Sequence, residues 1–323
     1  MIFSEFIETS PFKYFSIVVH MNLKSIVFTL IIFHSLVAVS AELTPALKKY
    51  CSQMDSKFKD YHWGASQCDK YSWNHVRDTT KKTPLIWTVF GDEKSAIAQN
   101  NITLVLCGVH GDEITPVKFC FDLLEELQKP EHKFDQRLIV LAPLVTPDSF
   151  FIKKPTRVNA NGVDVNRNFP TRDWHADAHK LWKKNYRKDK RKNPGPRAAS
   201  EPETIFQMNL VKRYKPHKVI TVHAPLTMID YDGPTLVAED NETAKDVLLK
   251  MSEKAENYKV ANYPVFPGSL GNWAGREHSI PTYTIELPNS NPADSAKFWT
   301  LFKDAVMYGI DRNMKNTDIG QNK

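Results

Sequence analysis

Cysteine is scarce in this chain: four among 323 residues, Cys51, Cys68, Cys107 and Cys120. No two of them form a C-x-x-C pair, which argues against a zinc site built from thiolates. Internal repeats are absent, which argues against a solenoid or a propeller. The apolar run from Ser25 to Ala38 is broken by small polar residues and His34. It is too short for a comfortable membrane span. Charge of one sign is not in large excess: 43 Lys and Arg stand against 37 Asp and Glu, a formal net charge of +6. Lys13 and Lys24 cancel Glu5 and Glu8 in the N-terminal stretch, so the whole excess lies beyond it. It mildly favours an anionic partner without identifying one. Hydrophobic content of 41% and charged content of 25% are ordinary for a globular chain, so disorder is not the default. The length suits one large α/β domain or two small ones.

The N-terminus reads as an address. From Met21, Lys24 supplies a positive charge, the apolar run follows, and Val39-Ser40-Ala41 places small side chains where a signal peptidase cuts. The expectation is cleavage after Ala41 and export, most naturally to a periplasm. Residues 1–41 would then be an upstream extension plus signal peptide, and 42–323 a single catalytic domain. A membrane anchor is the competing reading. An exported chain can hold disulfides. Cys51 and Cys68 flank a polar, aromatic-rich segment and can bridge. Cys107 ends an expected strand and Cys120 lies on the helix after it, so both read as core thiols.

Residues 42–82 read as a polar segment with short helices. Beyond them, strand-like and helix-like stretches alternate. Short apolar runs at Leu85–Phe90, Ile102–Cys107, Leu138–Leu144, Val219–Val222 and Thr282–Leu287 read as strands. Helical spacing marks Pro116–Leu127, Asn241–Tyr258 and Ser295 to about Tyr308. Ser200-Glu-Pro-Glu203 reads as a capping box opening a helix to about Lys212, with Ser200 as the cap. Near-continuous apolar strands separated by helices predict an α/β fold with a mostly parallel sheet covered on both faces. The basic stretch 171–199 breaks the pattern. It reads as an insertion: either a solvated loop or a flap near the active site that attracts anionic polymer.

A catalytic zinc needs about three protein ligands and one open position. His110 and Glu113 follow a buried strand and precede a helix, at the carboxyl edge where open α/β sheets bind ligands. His223 likewise ends a strand. Each alone is a weak signal, since a histidine at a strand end is usually a satisfied polar residue. Glu286 sits inside the apolar strand "YTIEL", where an unpaired carboxylate is expensive. It is either an acid–base group beside a metal or a structural partner of an arginine. In "TRVNANGVDVNRNFPT", Arg157 and Arg167 offer planar forks for a carboxylate or an oxyanion, and Asn166 can donate beside Arg167. Strand, histidine–glutamate pair, guanidinium loop, histidine strand and glutamate strand in this order are hard to assemble by accident.

The order resembles that of the zinc carboxypeptidase (M14) family: H-x-x-E, an Asn-Arg pair, a lone histidine and a late catalytic glutamate. The likeness runs from about residue 84 to 310 and is strongest to the bacterial murein peptide amidase A branch. "HGDE" at 110–113, "NANGVDVNRNFP" at 159–170, "SEPET" at 200–204, "HAPL" at 223–226, "PGSLGNW" at 267–273 and "IELP" at 285–288 carry it. The resemblance implies a mixed, mostly parallel central sheet flanked by helices. It implies one zinc ion on His110, Glu113 and His223, with Glu286 as general base and acid. Arg157 would hold the oxyanion, and Asn166 with Arg167 the carboxylate of the released residue. The implied partner is a murein peptide or peptidoglycan, not nucleic acid, with no stable membrane span after cleavage. The bond cut would join γ-D-glutamate to meso-diaminopimelate. Two departures separate the chain from digestive carboxypeptidases. Asp112 stands where they carry arginine, and "GSLGNWAGREHS" at 268–279 has no tyrosine. An N-acyl amino acid deacylase of the aspartoacylase type and a non-catalytic wall-binding protein are the alternatives.

Overall fold

The computed structural model describes residues 43–315 apart from 95–100, 135, 235–236 and 239–241. The expected signal segment lies outside the described residues. Among those described, no helix is long and apolar enough to cross a membrane.

Seven strands form one sheet: β1 (Asn74–Asp78), β2 (Pro84–Phe90), β3 (Ile102–Leu106), β4 (Leu138–Ala142), β5 (Lys218–His223), β6 (Met228–Asp232) and β7 (Thr282–Glu286). Their order across the sheet is β1-β2-β4-β3-β5-β7-β6. The inner four, β4-β3-β5-β7, are parallel. The flanking strands pair antiparallel. The sheet is therefore mixed and mostly parallel. Two of its strands, β1 and β6, carry no continuous apolar run and were not expected. Both are edge strands, so one side of each needs no apolar cover.

Alternation sends successive side chains to opposite faces. Val105, Ile139, Ile220, Val222, Tyr283 and Ile285 pack on one face against α1 (Pro45–Asp60), α2 (Ile114–Leu127), α4 (Ala244–Lys254) and α5 (Ser295–Asp311). Leu104, Leu106, Val140 and Val219 pack on the other face against α3 (Pro202–Tyr214). Both faces of the central strands are thus buried, which is why their sequences read as unbroken apolar runs. α1 replaces the short helices expected at the N-terminal end. Thr44 caps it by accepting the Leu47 N–H at 3.3 Å, and Pro45 suits its first turn.

Two local expectations are corrected. Cys107 and Cys120 are not free core thiols; they form a disulfide, as Cys51 and Cys68 also do. The short crossover from β3 into α2 brings the Cα atoms of Cys107 and Cys120 to 6.2 Å, within bridging range. Ser200 does not cap α3. Glu201 occupies that position without a side-chain cap bond. Instead Glu201 and Glu203 turn toward the 156–171 loop and accept from Asn159 Nδ2, both at 2.8 Å. Glu201 also accepts from Asn161 at 2.7 Å. "SEPET" therefore anchors a loop rather than closing a helix end.

Candidate active site

The chain passes from β3 through α2 to β4 on one side, and later enters β5 on the other side of β3. That reversal opens a crevice at the carboxyl ends of β3 and β5, where ligands bind in such sheets. His110 and Glu113 sit in the turn between β3 and α2, and His223 is the last residue of β5. β5 pairs with β7 so that His223 lies level with Glu286. The sheet register thus delivers four residues, more than 170 positions apart in sequence, to one edge.

The Glu113 carboxylate lies between both rings. Its Oε1 is 2.6 Å from His110 Nδ1 and its Oε2 is 2.8 Å from His223 Nδ1. All three residues are buried, and a ligand atom from each lies within 4.8 Å of the others. Two imidazoles and one carboxylate are a donor set of catalytic zinc sites, so the residues present fit that ion. A second trio, Glu126, Glu131 and His132, meets the same distance limit. There Glu126 is already taken by Lys129, Lys303 and His132 at 2.8, 3.0 and 3.1 Å.

One residue of the site was quoted in the sequence but given no role. Asp164 is buried, and its Oδ1 lies 3.0 Å from His110 Nε2, on the far side of the ring from Glu113. A carboxylate there fixes the ring's orientation and tautomer. The same Asp164 accepts Arg157 Nε at 3.0 Å, while Arg157 Nη1 donates to Glu113 at 3.1 Å. The charges hold one another. Burial opposes ionisation of Glu113 and Asp164, yet the histidines beside Glu113, and Arg157 and His110 beside Asp164, hold both carboxyls well below the usual range. Burial likewise works against the Arg157 cation, which Asp164 and Glu113 hold above its ordinary value.

Glu286 behaves differently. Burial, with Glu113 adding to it, raises its carboxyl above the ordinary value against the pull of His223. Its Oε2 accepts the Leu226 N–H at 3.2 Å. No arginine or lysine pairs with it among the described residues, so the alternative of a structural ion pair finds no partner.

His110, Glu113, Arg157, His223 and Glu286 line one cavity of about 430 Å³, together with Asn166, Arg167, Tyr186, Arg191, Lys192 and Tyr263. Asn166 Oδ1 accepts the Leu270 N–H at 2.7 Å, which joins the "NRNFP" and "PGSLGNW" segments and leaves its amide N–H groups for another acceptor. The Arg167 guanidinium stacks 4.3 Å from the Phe266 ring, and its buried Nε has no hydrogen-bond partner among the described residues. The basic stretch 171–199 brings Tyr186, Arg191 and Lys192 to the cavity wall. Asp112, the acid inside the "HGDE" turn, accepts from Arg191 Nη1 rather than facing His110 and Glu113.

Residues 67–303 match the family described as zinc carboxypeptidase, the M14 peptidases. The chain belongs to this family. It is a metallopeptidase, and its sheet flanked by helices is the zinc carboxypeptidase fold. Murein peptide amidase A of Vibrio campbellii is 29% identical over 196 residues, which cover 59% of this chain and 71% of that protein. The same-named protein of Escherichia coli K12 is 30% identical over 208 residues, covering 64% and 76%. Among solved structures, murein-tripeptide amidase from Escherichia coli O157 aligns with a TM-score of 0.51 at 24% identity, over 76% of this chain and 94% of that one. Carboxypeptidase A from Helicoverpa armigera aligns with a TM-score of 0.60 at 14% identity, over 81% and 71%.

Proposed function

We propose that this metallopeptidase is an exported zinc amidase that cleaves the γ-D-glutamyl–meso-diaminopimelate bond of peptidoglycan stem peptides. The observation that carries the reading is one cavity holding a His110–Glu113–His223 cluster, an unpaired Glu286 and the guanidinium groups of Arg157, Arg167 and Arg191. The relatives named murein peptide amidase A, at about 30% identity, supply the substrate class.

His110, Glu113 and His223 would hold one zinc ion. When bound, zinc supplies Lewis-acid polarisation and lowers the pKa of water. Glu286 takes a proton from the attacking water and returns it to the leaving amine. Burial suits it to both tasks, because a carboxyl held above its ordinary value releases and accepts protons nearer neutrality. Arg157, fixed by Asp164, donates to the oxyanion that develops at the scissile carbonyl. Asn166 and Arg167 hold the free carboxylate of the residue being released, a task for which a planar fork is suited. Asp164 holds the His110 ring in place. Export is supported by the Lys24–Ala41 segment and by the two disulfides, which persist in oxidising compartments.

Mass spectrometry of defined murein tri-, tetra- and pentapeptides, incubated with enzyme and zinc, tests the reading. Release of diaminopimelate from the tripeptide is the expected result. Release of N-acyl groups instead, or no cleavage of any murein peptide, would reject it.

A further inference from the structure

The positive charge of the chain is not spread over it. Ten of its 43 Lys and Arg, but only three of its 37 Asp and Glu, lie in residues 171–199, a net of +7 in that stretch against −1 for all the rest. The cavity takes Tyr186, Arg191 and Lys192 from it and leaves the other cations without a task. Lys180, Lys183, Lys184, Arg187, Lys188 and Lys190 are all exposed. Among the described residues only Lys180 of these six meets a carboxylate, that of Asp177 at 3.8 Å. An ordinary solvated surface intersperses both signs; this one does not.

The segment holds these cations in place. Lys180 lies one turn from Lys183 and Lys184 on the short helix His179–Lys184, so the three share a face and repel one another. Arg187 and Lys188 follow with φ of 49° and 58°, the left-handed region that residues other than glycine seldom enter. That turn is tied: the Lys188 N–H donates to the Trp182 carbonyl at 2.9 Å, and Trp182 Nε1 to the Asp189 carbonyl at 2.7 Å. Both ends of the stretch are bound to the loop that carries Arg157, Asn166 and Arg167. Trp174 Nε1 donates to the Arg167 carbonyl at 2.9 Å, and Asn168 Nδ2 to the Pro194 and Arg197 carbonyls, both at 2.8 Å. Arg157 Nε itself donates to the Arg191 carbonyl at 3.1 Å. The basic face is therefore a fixed platform that ends at the cavity rim, where Arg191 is both exposed and part of the wall.

We propose that this face is a docking surface for a soluble linear polymer bearing a phosphate on each repeat, and that the bound chain runs past the cavity rim at Arg191. The polymer is a second ligand, apart from the peptide held in the cavity. Charge complementarity carries the choice. Cations a few residues apart match closely spaced anions, and the counterions released on contact supply the affinity. Arg187 offers a planar fork for phosphate, and the lysines offer point charges. A lipid surface fits less well. Every exposed large hydrophobic residue among those described lies outside 171–199, so this face has no large apolar side chain to insert.

Fluorescence anisotropy of end-labelled long-chain polyphosphate, titrated with the full chain at several salt concentrations, tests this. Wild-type affinity should fall steeply and linearly with salt on logarithmic axes. Lys183→Gln, Lys184→Gln and Arg187→Gln together should lower affinity roughly 100-fold at about 0.1 M salt and flatten the slope by about 2–3. Lys183→Arg with Lys184→Arg, which keeps the charge, should bind as the wild type does. Lys49→Gln, Lys245→Gln and Lys297→Gln together remove the same charge from exposed positions on α1, α4 and α5 and should leave affinity and slope in place. An equal loss in that second triple variant would make the binding a matter of net charge and overturn the proposal. A wild type that does not bind polyphosphate would overturn it whether or not any variant folds. Binding to phosphatidylglycerol vesicles in its place would reassign the face to a membrane.

Discussion

Strand β5 begins at Lys218 and ends at His223, and both side chains are buried. The two ends are built on opposite terms. Around His223 the charges of the cluster hold one another: Glu113 lies between two imidazoles, and Arg157 between Glu113 and Asp164. At Lys218 the ammonium donates, among the described residues, to two neutral oxygens, Asn101 Oδ1 at 2.8 Å and the Arg312 carbonyl at 2.5 Å. Burial, with Arg137 and Arg312 nearby, pushes its amine down to about 7. Burial of charge is therefore not a mark of function by itself. The carboxyl edge differs because its charges are mutually held and open onto a cavity, whereas Lys218 is closed in by its own chain.

The largest test of that contrast is Glu286→Gln. The variant should keep its zinc and lose turnover by about a thousandfold or more. Metal analysis beside steady-state rates checks it, and near-normal activity would reject the mechanism. In the metal-free wild type, burial and Glu113 raise the Glu286 carboxyl, so its titration there should lie above the ordinary carboxylate value.

Lys218→Met should affect stability rather than catalysis. The unfolded lysine keeps its proton up to about 10.5, while the folded one loses it near 7. Between those values the unfolded chain binds more protons, so wild-type stability should rise with pH across that window. Denaturant titrations at several pH values should show this rise, on the order of a few kcal/mol, and its absence in the variant. Equal slopes for the two proteins would contradict the assignment.

Asp164→Asn should weaken zinc binding by about 10–100-fold while leaving the three ligands in place. Competition against a chelator measures it, and unchanged affinity would remove Asp164 from the site. Arg191→Ala should matter least. Its contact with Asp112 is half exposed on the arginine side and should contribute no more than about 1 kcal/mol. A thermal melt shifted by more than a few degrees would show that the basic stretch does more than border the cavity.

The residues that gather at the carboxyl edge were largely legible in the sequence, and the acidic floor of the cavity was not. His110, Glu113, His223 and Glu286 each stand next to or inside a buried apolar run, so a polar residue there draws notice. Asp164 had no such setting. It lies in a loop among asparagines, where an acid reads as a turn former. β6 went unseen because "MIDYD" interrupts its apolar positions with two acids, and those acids are the ones that line the cavity. β1 was hidden because an edge strand needs little apolar cover. The Cys107–Cys120 bridge depends on how closely α2 returns to β3, a distance that spacing alone does not supply. Strand positions came out within a residue or two because both faces of the inner sheet are buried. Ser200 misled because a cap pattern fixes composition and not direction, and here the carboxylates turn to a neighbouring loop.

Gly111, between the two histidine–glutamate positions, has a bearing on how this motif should be read in other chains. A Cβ there would stand 2.6 Å from the Ser149 carbonyl carbon and 2.8 Å from the Phe150 nitrogen, both backbone atoms of the short helix Pro147–Phe150. No rotamer relieves such a contact. The next position, Asp112, is partly open and pairs with Arg191 of the cavity wall. In an alignment of chains sharing this turn, position 111 should then be as invariant as the ligands, and position 112 free to drift with the wall opposite. The glycine, which offers no donor atom, carries as much of the motif's information as the histidine and the glutamate on either side of it.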